Sequence, residues 1–301
     1  MDCGKPEEPR GEASRDEDVA YLVRYLLEER GIGDEPVGDG PFDEAFARFR
    51  ALVNTREPRP ADERFLTVQD RLLRGLVADK GIVDAAGLPP TSTDPRLSVW
   101  RGDIVALAAD AVVNAANSAL LGCWVPGHHC IDNAIHTFAG VQLRLECARL
   151  MERQGHEEPA GRAKVTGAYN LPAGCILHTV GPVANGSPGD RDRRELASCY
   201  ESCLDAAAAR GCRTVAFCCV STGVFGFPQA EAASIAVATV RAWLDHHEVG
   251  RGSAGASSSP RGAGAPAGGA GVAADSPGGL KVVFNVFTDE DERIYHGLLD
   301  A

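Results

Sequence analysis

The chain has 301 residues, 44% of them hydrophobic and 24% charged, which is the composition of a soluble globular protein with enough apolar material for one large domain. Its 42 acidic side chains against 30 basic ones give a formal charge of −12, which argues against a phosphate-backbone binder with a broad basic surface. A small nucleotide held by backbone amides stays compatible with that charge. The acidic first residues hold no apolar core and no apolar run is long enough to span a bilayer, so the reading is a cytoplasmic, intracellular protein. Its ten cysteines are then expected to be reduced, buried, metal-bound or reactive.

Residues 1–18 are polar and predicted to form a disordered tail. Three stretches with apolar residues near helical spacing follow: Val19, Leu22, Leu26 and Leu27, then Phe42, Phe46, Phe49 and Leu52, then Phe65, Val68, Leu72 and Val77. They predict a helical N-terminal region over 19–93. From residue 94 strands alternate with helices. "LSVWRGDIV" and "ADAVVNAAN" read as strands, and "IDNAIHTFAGVQLRLECARLMERQG" as one helix ending near Gly155. "CILHTVGP" is a strand, "ELASCYESCLDAAAARG" a helix, and "TVAFCCV" a strand with Cys218 and Cys219 on opposite faces. A small-residue loop, "STGVFGFP", leads into the helix "QAEAASIAVATVRAWLDHH". The strand "LKVVFNVF" and the helix "DEDERIYHGLL" close the chain. This alternation predicts an α/β domain over 94–301 with a mixed, largely parallel sheet. A Gly, Ala, Ser and Pro tract over 249–279 has little to bury and reads as a disordered insertion.

The densest chemistry lies in "GCWVPGHHCIDN". Cys123, His128 and Cys130 offer two thiols and an imidazole, the donors zinc prefers, across a turn made by Pro126 and Gly127. Three ligands leave one tetrahedral position open, the catalytic pattern. His128 is preferred over His129 because residues i and i+2 point the same way in an extended segment. His129 stays open as a fourth ligand, and a redox pair or idle thiols stay open as alternatives. A zinc base deaminase is disfavoured, because its H-x-E and P-C-x-x-C elements are missing.

Asn114 and Asn117 follow a buried strand at the edge where open α/β sheets bind ligands. Asp132 and His136 are i, i+4 neighbours. Asp132 reads equally as a functional carboxylate or as a residue offsetting the helix dipole. His136 reads as a packed histidine bonded to backbone. The loop over 221–228 sits between a strand and a helix N-terminus, where amides can face an anion, although a tight turn explains it too. Phe225 and Phe227 there suit stacking or packing. Asp103 in "RGDI" is either an adenine acceptor or a capping aspartate.

Together these residues resemble the macrodomain family, modules that bind ADP-ribose. The matching pieces are "GDI" (102–104), "VVNAANS" (112–118), "IHTFAG" (135–140), "LHTVGP" (177–182) and "STGVFGFP" (221–228). "GCWVPGHHCIDN", "FRALVNTREP", "GVQLRLECARLM", "SCYESCL" and "VVFNVF" are similar to a zinc-containing branch of protein ADP-ribosylhydrolases. The resemblance implies a three-layer α/β/α sandwich with a mixed sheet, preceded by a small helical region. It implies Cys123, His128 and Cys130 as zinc ligands, Asn117 and Asp132 as catalytic residues at the distal ribose, and Asp103 with the backbone of Ile104 at the adenine. Ser221, Thr222, Gly223, Val224, Phe225 and Gly226 correspond to the diphosphate loop, and Phe287 to an aromatic at the adenine end. The implied activity is zinc-dependent removal of mono-ADP-ribose from modified proteins. A non-catalytic ADP-ribose-binding module, or a hydrolase of small esters such as O-acetyl-ADP-ribose, remains open. The implied partners are ADP-ribose and a mono-ADP-ribosylated protein, with no nucleic acid, no membrane and a monomeric chain. Gly127 stands where the family has a bulkier residue, a departure that would loosen the loop, and the 249–279 tract is a second departure.

Overall fold

The computed structural model describes residues 14–33, 41–254 and 279–300, with backbone alone for 248–254. Residues 1–13 of the predicted 1–18 tail and residues 255–278 of the predicted 249–279 insertion lie outside the described residues, while the backbone over 249–254 is helical, which departs from the disordered reading there. Helix α1 (Arg15–Glu28) starts inside the stretch assigned to the tail. Ser14 caps it: its hydroxyl accepts from the Glu17 amide (3.3 Å) and the Glu17 carboxylate accepts from the Ser14 amide (2.9 Å). This reciprocal capping box fixes the helix start four residues before the first apolar position, which periodicity alone could not locate. Helices α2 (Phe42–Asn54) and α3 (Glu63–Asp79) follow. The buried guanidinium of Arg56 joins Glu29 (2.8 Å) and ties the end of α2 to the end of α1.

Two short strands, β1 (Val83–Asp84) and β3 (Leu107–Ala108), pair with each other, flanking β2 (Leu97–Arg101) in the chain. Then come β4 (Ala111–Ala116), α4 (Ile131–Ala139), α5 (Val141–Gln154), β5 (Ala163–Gly167) and β6 (Cys175–Val180). The chain continues through α6 (Asp190–Ala209), β7 (Thr214–Phe217), α7 (Gln229–Ala254), β8 (Lys281–Val286) and α8 (Asp289–Leu299). The six-stranded sheet has the order β2-β8-β7-β4-β6-β5, parallel throughout except for β5. Its central strands are buried along nearly their whole length, Ala115 of β4 being only half-buried, as expected of strands covered on both faces. Helices α6, α7 and α8 pack together as one layer, and α4 and α5 form the other. Helices α2 and α3 stack on α4, so one continuous hydrophobic core runs from α1 to α8.

Besides the start of α1, strand β1 falls inside the region read as helical, the strand read over "LSVWRGDIV" stops at Arg101, and three later elements differ from the sequence reading. The single helix over 131–155 is two, broken at Gly140 (φ 100°). Gln69 of α3 sits in the break: its Oε1 accepts from the Val141 amide (3.0 Å), and a Cβ on Gly140 would lie 2.5 Å from its Nε2. Gly140 is the one local sign of the break; the cap that starts the second helix comes from another helix and is not written in the local sequence. Strand β5 has no counterpart in the sequence reading because "AKVTG" is short and its alternation rests on Ala163 and Val165 alone, both only half-buried at the sheet edge. Strand β7 ends at Phe217, so Cys218 and Cys219 lie just beyond it. Among the described residues no helix is long and apolar enough to cross a membrane.

Candidate active site

Parallel pairing sends the C-terminal ends of β2, β8, β7 and β4 to one edge of the sheet. Every candidate residue follows one of those ends, or lies on the loop and helix that continue β4. Asp103 and Ile104 follow β2, Phe287 follows β8, residues 221–226 follow β7, and Asn117 follows β4; Asn114, read from the sequence as following that strand, lies inside it, two residues before its end and paired in register with His178. Strand order therefore spreads them as a row along the edge, the position at which open α/β sheets bind ligands.

At the β4 end, Asp132 comes in from the first turn of α4 and is 5% exposed. Asn114 Nδ2 donates to its Oδ1 (2.8 Å) and Asn117 Nδ2 to its Oδ2 (3.2 Å). Burial pushes this carboxyl up to about 6, against the hydrogen bonds from Asn114 and Asn117. Asn117 is fixed in turn, donating to the Gly122 carbonyl (3.0 Å) and accepting from the Ala119 amide (3.1 Å). The second hydrogen of Asn114 Nδ2 meets His178 Nδ1 (3.1 Å), and His178 Nε2 meets Thr166 Oγ1 (2.8 Å). With Asn114 as donor, that chain sets His178 as the neutral Nε2–H tautomer. Burial depresses His178 to about 3, which agrees.

His136 departs from its sequence reading. Neither ring nitrogen has a hydrogen-bond partner, and its Nε2 lies 3.5 Å from Asp132 Oδ1. Burial holds it neutral as well.

The loop between β4 and α4 turns Cys123, His128 and Cys130 toward one another, with their donor atoms all within 4.8 Å of each other. Cys123 Sγ lies 3.5 Å from His128 Nδ1. His129 is not part of that group among the described residues. Burial pushes the Cys130 thiol up to about 11, so a pair of thiolates here needs a cation as counter-charge. The donor set and spacing fit zinc. Gly122 (φ 77°) turns the chain into this loop, and a Cβ there would meet the His136 ring at 2.7 Å. Gly127 takes φ 64° with open space around it, and its amide donates to Asn54 Oδ1 (3.0 Å). The glycine thus suits a left-handed turn that is pinned, and the expected loosening does not follow from its small size.

In the loop after β7, Ser221 is buried in a left-handed conformation (φ 66°), and a Cβ on Gly181 would strike its Oγ. Ser221 O accepts from the Phe227 amide (2.9 Å) and Gly223 O from the Gly226 amide (2.9 Å), which curls the loop. The amides of Gly223, Val224 and Phe225 donate to no acceptor among the described residues, leaving three consecutive N–H groups for an anion beside the N-terminus of α7. At the far end of the row, Asp103 accepts from the Val105 amide (3.2 Å) and pairs with Lys80 (2.9 Å). Phe287 is 76% exposed with a free face. Phe227 is packed in the core.

Four residues escaped the sequence reading. His178 carried a signal: a histidine in a mostly apolar, fully buried central strand, in register with Asn114. Arg144, whose guanidinium lies 4.6 Å from the Trp124 ring centroid, and Arg50 and Asn54, which touch the metal loop, sit on amphipathic helices where such residues look like ordinary surface or cap positions.

The sequence pattern of the Macro domain family matches residues 113–236. A protein-ADP-ribose hydrolase of Treponema medium is 44% identical over 281 residues, covering 93% of this chain and 97% of that protein. The chain belongs to the Macro domain family. A second protein-ADP-ribose hydrolase, from Staphylococcus aureus strain MSSA476, is 42% identical over 278 residues, 92% of this macrodomain chain and 93% of the relative. Among solved structures, a Trypanosoma brucei macrodomain in complex with ADP-ribose superposes with a TM-score of 0.56 at 28% identity, covering 83% of this chain and 94% of that one. An Oceanobacillus iheyensis macrodomain with ADP gives 0.52 at 30% identity, covering 67% and 88%.

Proposed function

We propose that this macrodomain is a zinc-dependent hydrolase that removes mono-ADP-ribose from modified proteins. One observation carries the reading: the candidate residues form a row whose order matches the ligand. Asp103, Ile104 and Phe287 stand at the adenine end, the free amides of Gly223, Val224 and Phe225 in the middle, and Asn117 and Asp132 at the β4 end. The metal-compatible group adjoins that last position, since Cys130 caps the helix that carries Asp132 and Gly122, the partner of Asn117, precedes Cys123.

The anomeric carbon of the distal ribose carries the bond to the modified side chain, and water replaces that side chain. Asp132, held by two amide donors, is ionised above about 6 and takes a proton from the attacking water. Asn117, locked by Gly122 and Ala119, keeps the carboxylate aimed. Cys123, His128 and Cys130 would hold the zinc, which supplies a Lewis acid at the ribose. The amides after β7 bind the diphosphate and fix the ribose relative to Asp132. The relatives' names and the bound ligands of the solved macrodomains support the same substrate class.

The test is release of ADP-ribose from a mono-ADP-ribosylated protein, with zinc present and after its removal by a chelator. Release that depends on zinc and is lost in Cys130→Ala supports the reading. Tight ADP-ribose binding without release, zinc present, would leave a binding module instead, and release unaffected by chelation would remove zinc from the chemistry.

A further inference from the structure

The stretch "FRALVNTREP" at the end of α2 has no part in the chemistry above, yet two of its side chains lie on the metal loop. Arg50 Nη2 donates to the carbonyl of His128 (2.9 Å). The same guanidinium reaches Asn133 Oδ1 from Nε (3.0 Å) and from Nη2 (2.8 Å). Asn54 is 1% exposed. Its Oδ1 accepts from the Gly127 amide (3.0 Å) and from Asn133 Nδ2 (2.9 Å), while its Nδ2 donates to Thr137 Oγ1 (3.0 Å). Asn133 Nδ2 also donates to the Val125 carbonyl (3.2 Å), and the Asn133 amide donates to Cys130 Sγ (3.4 Å).

The loop backbone is therefore gripped at Val125, Gly127 and His128, all between Cys123 and Cys130. Each grip traces to α2, directly or through Asn133. Besides these grips, the loop has the Arg144 guanidinium 4.6 Å from the Trp124 ring centroid and one internal turn, His128 amide to Val125 carbonyl (3.2 Å); Trp124, Val125 and Pro126 are exposed, and residues 121–130 contain no helix or strand. Three ligands on a free loop would have to be ordered by the ion itself. Ligands already held in place bind it without that entropic cost.

We propose that Arg50 and Asn54 are positioning residues that hold residues 123–130 in their ligating shape, which makes the N-terminal helical layer part of the metal site. This rests on the zinc reading above. Neither side chain is a ligand; each acts on the loop backbone and on Asn133. Losing such outer contacts characteristically weakens metal binding by about 10- to 100-fold.

The experiment uses the full chain as wild type, Arg50→Ala and Asn54→Ala. The first readout is zinc release from loaded protein into a chromogenic chelator. The second is amide hydrogen exchange in metal-free protein. Arg50→Ala is expected to release zinc about 10- to 100-fold faster. Its loop amides over 123–130 should exchange faster while those of β4, β6 and β7 keep their wild-type protection. Arg50 is half-buried, so this variant keeps its fold even if Asn54→Ala does not. Wild-type zinc release from Arg50→Ala overturns the proposal. So does a uniform rise in exchange across the whole chain, which would make Arg50 a general stabiliser. A wild-type protein that takes up no zinc sinks the zinc reading separately, and the metal-free exchange arm then decides whether α2 holds the loop.

Discussion

His178 makes stability fall on the acid side in a way that one substitution isolates. Its imidazole is completely buried, accepts from Asn114 at Nδ1 and faces Thr166 at Nε2, and burial holds its pKa at about 3. In the unfolded chain it titrates near 6.5. Above that pH both states are neutral and the full stability is present. As pH falls below about 6.5 the unfolded state takes up a proton that the native state refuses until about 3, so stability drops through that window. At pH 5 the difference is about 1.5 pH units, or about 2 kcal/mol relative to pH 8. His136, depressed by the same burial, acts in the same direction. Asp132, raised to about 6, acts in the opposite one between about 4 and 6. The Asp132 effect is common to the wild type and to His178→Asn, whose side-chain oxygen can still accept from Asn114, while His136 keeps its burial and loses only the smaller lowering influence of His178. Urea unfolding followed by far-ultraviolet circular dichroism at pH 8 and pH 5 reads the difference. The variant should be less stable at pH 8, having lost the Thr166 contact, but its loss between the two pH values should be about 2 kcal/mol smaller. An unchanged pH dependence would refute the buried neutral histidine. Protonation there would also place a donor against the Asn114 amide and undo the support of Asp132, so the same measurement bears on the site.

Asp132→Asn sets an amide NH2 against one of the two Asn donors and so should cost some stability while the chain still folds; ADP-ribose release from a mono-ADP-ribosylated protein should fall by at least about 100-fold, the scale of a lost general base. Phe287→Ala should leave the melting temperature unchanged, because the ring is 76% exposed, yet weaken ADP-ribose binding in calorimetry by about 1 kcal/mol or more. Gly122→Ala should destabilise the chain and lower its zinc stoichiometry together, since its Cβ would strike the His136 ring at 2.7 Å from a backbone at φ 77°. Wild-type stability and zinc content in that variant would contradict the packing described.

The alternating pattern from residue 94 was enough for the α/β class and the largely parallel sheet, because buried strands such as "CILHTV" and "VVFNV" are nearly all apolar and bounded by turn residues. What stayed hidden depends on distant partners. The break at Gly140 exists because Gln69, two helices earlier, caps the second half. The start of α1 is set by a polar capping box that precedes the apolar pattern. In the site, the sequence offered the donors of the "GCWVPGHHCIDN" loop but not their grip on α2, since Arg50 and Asn54 meet Gly127 and His128 only in three dimensions. Local composition likewise made His136 a bonded core histidine, whereas the fold leaves both its nitrogens without partners.

The sheet order also sets when the site can exist during synthesis. Strand β2 pairs only with β8, and β8 also pairs with β7, so one of the last segments of the chain is threaded between two that are made earlier. Until residues 281–286 leave the ribosome, β2 has no neighbour and the edge of β7 stands open. The β4 end, with Asn114, Asp132 and the metal loop, can form from earlier chain, while the end that holds Asp103 and Phe287 waits for the final strand. A nascent or truncated chain therefore presents an apolar strand edge rather than half a pocket, and quality control meets it as an aggregation-prone intermediate.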